Sequence, residues 1–181
     1  MQNVVQKAQE YATKHHAGQF LWTAAREPFI EHPRRVVKLV ELSIATDDEI
    51  AATWLHDVVE DTPVTIEDIL REFGEDIGGM VDGLTDPAHF AGNPDCIRKK
   101  WQAERVKDKE PRVKRIKIAD QAVNTKMMGF DPPAGWTRGR RMEYITGAKW
   151  IVEACVGINT FLEEEFWKTF EASSKEIEKA K

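Results

Sequence analysis

Apolar positions along the 181-residue chain recur at intervals of three and four, and runs of strict alternation are absent. This pattern predicts helices and no sheet. Val4, Val5, Ala8, Tyr11 and Ala12 share one face of a first helix over residues 2–16. Residues 17–31 lose the period, carry Gly18 and Pro28, and read as a loop with room for a short helix. Their aromatic and apolar content is high for a solvent loop, so the segment is expected either to pack down or to line a pocket. His32-Pro33 opens a helix through Ser43, with proline in its first turn. Thr46 and Glu49 form a capping box that starts a central helix from Asp47 to about Val59, which Thr62-Pro63 stops.

Thr65 and Asp68 cap a further helix to Phe73, which Gly74 ends, and Glu75–Leu84 follows with an interruption at Gly78-Gly79. A Pro-, Gly- and Asp-rich loop over 85–94 leads into a strongly charged helix from Asp95 to Lys109, and Pro111 resets the chain. Arg112–Met128 is helical, Gly129–Gly135 is a turn, Trp136 or Thr137 to Val156 is a long helix, and a last one runs from Asn159 towards Ser173. The polar tail SSKEIEKAK is expected to fray. With no repeat, low-complexity tract or linker, the fold class is all-α: a single-domain bundle over residues 1–175, with 176–181 as a polar C-terminal tail.

A formal net charge of -5 and a pI near 5.6 argue against a nucleic-acid polymer or a membrane surface as partner. They leave room for a small anionic substrate met by a local basic cluster. Cys96 and Cys155 form neither a CxxC nor a disulfide framework, which fits a reducing cytosol. The stretch MQNVVQKAQEYATKHH lacks the apolar core of a signal peptide, and no apolar run is long enough to span a bilayer. A soluble cytoplasmic protein is the expectation, with its oligomeric state left open.

The chemistry concentrates in Ala51–Thr62, AATWLHDVVEDT. At about 3.6 residues per turn, Glu60 lies over His56 and Asp61 over Asp57. Uncompensated acids are expensive to bury, and a bound cation would compensate them. Two further candidates are His32, at the start of its helix, and Asp120, a mid-helix acid with Asn124 one turn later. His32, His56, Asp57 and Asp120 would make an N2O2 set suited to Mn²⁺, Fe²⁺ or Zn²⁺ and unlike a thiolate site. The residues alone leave an alternative: a helix-end network at His56-Asp57, with Asp120 paired to a lysine or arginine.

The order of these pieces closely resembles the HD-domain phosphohydrolases. Within them it is similar to the RelA/SpoT hydrolase branch and its stand-alone small alarmone hydrolases, the Mesh1-like proteins. The matching stretches are YATKHHAGQ (Tyr11–Gln19), EPFIEHP (Glu27–Pro33), AATWLHDVVEDT, FGEDIGGMVDGLTD (Phe73–Asp86), KIADQAVN (Lys117–Asn124), and Tyr144 with GINTFLE beyond it. The resemblance covers nearly the whole chain except its tail and implies an HD-type helical bundle. It implies that His32, His56, Asp57 and Asp120 hold one metal ion, usually Mn²⁺, and that Glu60 and Asp61 orient and activate the attacking water. It also implies that Asn124 and Tyr144 contact the sugar or phosphates of a nucleotide, and that the reaction removes the 3′-pyrophosphate of (p)ppGpp to leave GDP or GTP.

The chain departs from that family in one loop. Leu21 and Trp22 stand where an arginine and a lysine are usual, Arg26 where a glycine is usual, and Phe29 where a tyrosine is usual. Trp22 could stack a base and Arg26 restore a cation, or both could serve packing. The departure opens other substrates: ppApp, another nucleoside polyphosphate, or a phosphate monoester such as NADPH. A non-catalytic nucleotide-binding regulator is the reading from another class, and the complete set of six site residues argues against it. Cations for the phosphates are expected among Arg98, Lys99, Lys100 and Arg105, or Arg112, Lys114, Arg115 and Lys117, with Lys126 a further candidate. His15, His16 and His89 read as structural or surface residues, and Trp54 and Trp150 as core.

Overall fold

The computed structural model describes residues 3–23 and 25–180. Helix α1 (Val4–His15) begins at Asn3, whose side chain accepts the Val5 N–H at 2.9 Å, and buries Ala8 and Ala12. Helix α2 (Glu31–Leu42) buries His32, Pro33, Val36, Val37 and Val40. Helix α3 (Asp47–Leu55) carries the expected capping box in full, with Thr46 and Glu49 each closing on the other's backbone N–H. Its last five residues, Ala51 to Leu55, are all buried, the mark of a helix enclosed on every side. Helices α1, α2 and α7 all pack against it.

The central helix does not run unbroken to Val59, as the apolar pattern alone suggested. It stops at Leu55, and a four-residue helix, α4 (Val58–Asp61), resumes after His56-Asp57. Asp57 adopts φ -100°, ψ -6°, the bridge region where many active-site residues sit. Helix α5 (Ile66–Leu84) starts at the Thr65/Asp68 capping box and kinks at Gly74, whose φ of 84° only glycine adopts freely. Gly78-Gly79 does not interrupt it. A Cβ at Gly78 would lie 2.5 Å from Leu70 Cδ2, so this glycine lets the two arms of the kink close on each other.

After a short 3-10 turn (Ala88–Phe90) come α6 (Asp95–Val106), α7 (Pro111–Phe130), α8 (Arg138–Glu153) and α9 (Thr160–Lys179). Helix α7 is the second axis of the bundle, packed against α2, α5, α8 and α9. Helix α9 continues into the polar tail as far as Lys179, where fraying was expected, and Ile177 is buried with Met128 and Ile145. The expected division after residue 175 falls inside this helix. Helices α7 and α9 meet at backbone distance, since a Cβ on Gly129 would lie 2.7 Å from Ser173 Cα.

Among the described residues there is no strand, only two isolated antiparallel bridges, Phe20–Pro28 and Thr23–Pro133. The second joins the α1–α2 segment to the α7–α8 turn. The short helix allowed for in residues 17–31 does not form among the described residues. No described helix is long and apolar enough to cross a membrane.

Candidate active site

Successive residues of a continuous α-helix point about 100° apart, so His56 and Asp57 need the helix break to face one point. They do: His56 Nε2 lies 3.3 Å from Asp57 Oδ2. From the first turn of α2, His32 Nε2 comes to 3.4 Å from the same oxygen. From the middle of α7, Asp120 places Oδ1 3.3 Å from His32 Nε2 and 3.8 Å from His56 Nε2. Ligand atoms of His32, His56 and Asp57 all lie within 4.8 Å of one another, and Asp120 closes the group from α7.

These residues fit a divalent ion on a structural ground of their own. His56 Nδ1 lies 2.7 Å from the Thr53 carbonyl, so it carries the proton and donates it. That leaves the Nε2 lone pair, which is buried and without a hydrogen-bond partner among the described residues. An unsatisfied buried acceptor costs about 1–3 kcal/mol, and a cation in the centre of the four side chains would satisfy it. Asp120 is oriented by Asn124 Nδ2, which donates to Oδ1 at 2.7 Å, and by Gln121 Nε2, which donates to Oδ2 at 2.6 Å. Burial opposes its charge, yet the His32 hydrogen bond and the Lys117 ammonium hold its carboxyl well below the usual carboxylate range. The helix-end alternative is half present, since Lys117 Nζ does stand 3.7 Å from Asp120, but it adds to the four-residue cluster without replacing it.

Glu60 and Asp61 stand on the rim of a cleft of about 760 Å³ that opens over these four side chains. Glu60 Oε1 accepts the Asp86 backbone N–H at 2.6 Å, and Gln19 Nε2 donates to the Asp61 carbonyl at 2.7 Å. Withdrawal from bulk water, with repulsion from Asp57, pushes Glu60 up to about 7 and Asp61 up to about 6.

Four cations line the same cleft: Arg98, Lys99, Lys117 and Arg140. Lys99 is buried, and loss of solvent pulls its ammonium down to about 8. The other basic residues flagged on these helices lie elsewhere: Arg105 with the carbonyls of Gly83 and Asp82, Arg112 with Asp76, Lys114 with the Lys107 carbonyl, Arg115 with Glu49, Lys100 over the Trp150 ring, and Lys126 in a separate hollow. Asn124 and Tyr144 line the cleft, as does Trp22, which is 85% exposed. Arg26 does not. It lies over the Phe20 ring in a neighbouring hollow, at φ 46°. His16 is buried against Phe29 and bonded to Gln19.

Gln121, Trp136, Arg140 and Asp95 are among the cleft residues that the sequence reading did not single out. Gln121 is 1% exposed and bonds Asp120. Arg140 stacks on the Trp136 ring at 3.8 Å, and Asp95 holds the guanidinium at 3.2 Å. Gln121 sits beside Asp120 on α7, while the packing of α6 on α8 brings Asp95 and Arg140 together at the cleft.

A histidine, a histidine–aspartate step and a later aspartate thus converge on an all-helical frame, the arrangement expected of an HD domain. The family model so described matches residues 8–133, and the chain belongs to that family. Among its relatives, the guanosine-3′,5′-bis(diphosphate) 3′-pyrophosphohydrolase MESH1 of Drosophila melanogaster is 33% identical over 85% of this chain and 86% of its own. The human protein of that name is 31% identical over 87% of this chain and 88% of its own. The solved structure of a metazoan orthologue of SpoT, described as hydrolysing ppGpp, matches with a TM-score of 0.87 at 29% identity, covering 94% of this chain and 96% of that one.

Proposed function

We propose that the protein is a metal-dependent phosphohydrolase that removes the 3′-pyrophosphate of the guanosine alarmones (p)ppGpp, yielding GDP or GTP and pyrophosphate. The observation that carries this reading is the convergence of His32, His56, Asp57 and Asp120 beneath a cleft that also holds a carboxylate pair and four cations. The relatives named for this reaction span almost the same length of chain. We assign the ion as Mn²⁺, with Fe²⁺ and Zn²⁺ compatible with the same donors, and the compartment as the cytoplasm.

A divalent ion held by these four side chains would make water a stronger nucleophile near neutrality and offset the charge of the phosphoryl group. Glu60, with one oxygen fixed by the Asp86 N–H, keeps the other for a water, and Asp61 one residue on stands closest to the attacked phosphorus. The water gives its proton to this pair and its oxygen bonds to the 3′-phosphorus. The bond from that phosphorus to the ribose oxygen breaks, and the ribose oxygen takes up a proton. Arg98, Lys99, Lys117 and Arg140 face the pyrophosphate, with Asn124 and Tyr144 beside the sugar and phosphates and Trp22 against the base. Arg26, seated on Phe20, is left out of this assignment.

One observation favours a second reading on the same machinery. Leu21, 5% exposed, and Trp22, 85% exposed, carry no charge, so neither supplies the cation usual in that loop. A different base or a phosphate monoester such as NADPH would meet the same metal site. Purified protein loaded with Mn²⁺ should release pyrophosphate from ppGpp in step with GDP. Orthophosphate release alone, from NADPH or another ester, would establish the second reading, and no turnover of either alarmone would overturn the first. Metal analysis should find about one ion per chain, lost in Asp120→Ala.

A further inference from the structure

Lys99 projects from α6 with its stem confined by α8: a Cβ on Gly147 would fall 2.6 Å from both Lys99 Cβ and Cγ. Its ammonium sits 4.3 Å from the centre of the Tyr144 ring and donates to Gln121 Oε1 at 2.7 Å. Gln121, on α7, is 1% exposed and passes the contact on, because its Nε2 donates to Asp120 Oδ2 at 2.6 Å. The amide is therefore held by two partners that demand opposite ends of it. Turned over, it would set an NH₂ group against an ammonium and an oxygen against a carboxylate. Three side chains thus form one directed chain of hydrogen bonds, from the cleft cation, through a neutral amide, to a residue of the metal site. In a buried setting such chains strengthen each member.

We propose that Gln121 is a positioning residue for the metal centre, and that Lys99 supports ion binding through it, at one remove and against its own charge. Gln121 fixes the plane of the Asp120 carboxylate so that Oδ1 turns towards His32 and His56. Lys99 fixes Gln121. Partners of this kind commonly change metal affinity by about 10-fold to 100-fold when removed. This inference rests on the reading of Asp120 as a ligand.

The test is calorimetric titration of the full-length, metal-stripped protein with Mn²⁺ alone. Gln121→Met, close in volume, should weaken Mn²⁺ binding by about 10-fold. Gln121→Asn, an amide one methylene too short to span both partners, should do the same and guards against a packing defect. Lys99→Met gives the deciding sign. Removing a positive charge near a cation site should tighten Mn²⁺ binding by Coulomb's law alone, whereas loss of the Gln121 anchor should weaken it. The Lys99→Met/Gln121→Met double variant should be no weaker than Gln121→Met alone, because the two act in series. Unchanged affinity in Gln121→Met and Gln121→Asn, or tighter or unchanged binding in Lys99→Met, would overturn the proposal. Asp120→Ala separates the two levels: if it retains full Mn²⁺ affinity, the ligand reading itself has failed. Loss in Asp120→Ala without loss in the Gln121 variants sinks only the inference.

Discussion

Glu60 and Asp61 are carboxyls whose folded-state values sit above their ordinary ones, about 7 and about 6, while Asp120 is held below its own. The signs differ accordingly. Glu60 and Asp61 contribute stability that is fully present below their unfolded values and is lost as pH rises through about 6 and about 7. Asp120 contributes stability present above its unfolded value and lost only as pH falls. A bound cation favours the charged form of all three, so it relieves Glu60 and Asp61 where they cost most. The rise in Tm on adding saturating Mn²⁺ should therefore be larger at about pH 7.5 than at about pH 5.5. Equal gains at both values would show that the rim carboxylates do not sense the ion. These residues stood out as candidates in the sequence because uncompensated acids are expensive to bury, while the roles expected of them came from the family resemblance. The contact between Gln121 and Lys99 was not legible, since an amide and a lysine are ordinary on any helix and their meeting depends on α6, seated against Gly147 of α8, carrying Lys99 to α7.

Among the helices, both capping boxes could be read directly, since a cap is a local bargain between residues three apart. Thr46→Ala should cost about 0.5–2 kcal/mol in urea unfolding. The break at His56-Asp57 could not be read from apolar spacing, because Trp54, Leu55 and Val58 are buried on either side of it. Glycines show the same divide between local and tertiary causes. Gly79 has open space where a Cβ would be added, so Gly79→Ala should stabilise the protein by about 0.5–1 kcal/mol through helix propensity. At Gly129 the same change drives a methyl into the Ser173 backbone, and overpacking should outweigh propensity, at a cost of about 1–3 kcal/mol. Opposite shifts in urea midpoint are expected, and matching shifts would contradict the close seating of α9 on α7. The continuation of α9 had a faint sequence signal, Phe166, Phe170, Ser173 and Ile177 at helical spacing, masked by the polarity around it.

Over the whole molecule, the net charge of -5 coexists with a cleft that sets Arg98, Lys99, Lys117 and Arg140 beside the carboxylates of Asp57, Glu60, Asp61, Asp95 and Asp120, so cations for a polyphosphate stand next to acids for a metal ion. Substrate KM should rise with ionic strength, and a salt-independent KM would argue against a highly charged substrate. Trp22 and Trp136 both line this cleft, one from before the metal site in the chain and one from after it. Trp22→Ala, at a position 85% exposed, should change stability by less than about 0.5 kcal/mol while raising KM several-fold. An unchanged KM would remove Trp22 from the substrate site.

The bridge between Thr23 and Pro133 gives that cleft an unusual mouth. A gate needs two lips that part, and here the α1–α2 segment that carries Trp22 pairs with the α7–α8 turn that carries Trp136 through one isolated bridge. Tied in this way, the two tryptophan-bearing segments share one fate, so a change that displaces either loop also disturbs the other side of the cleft.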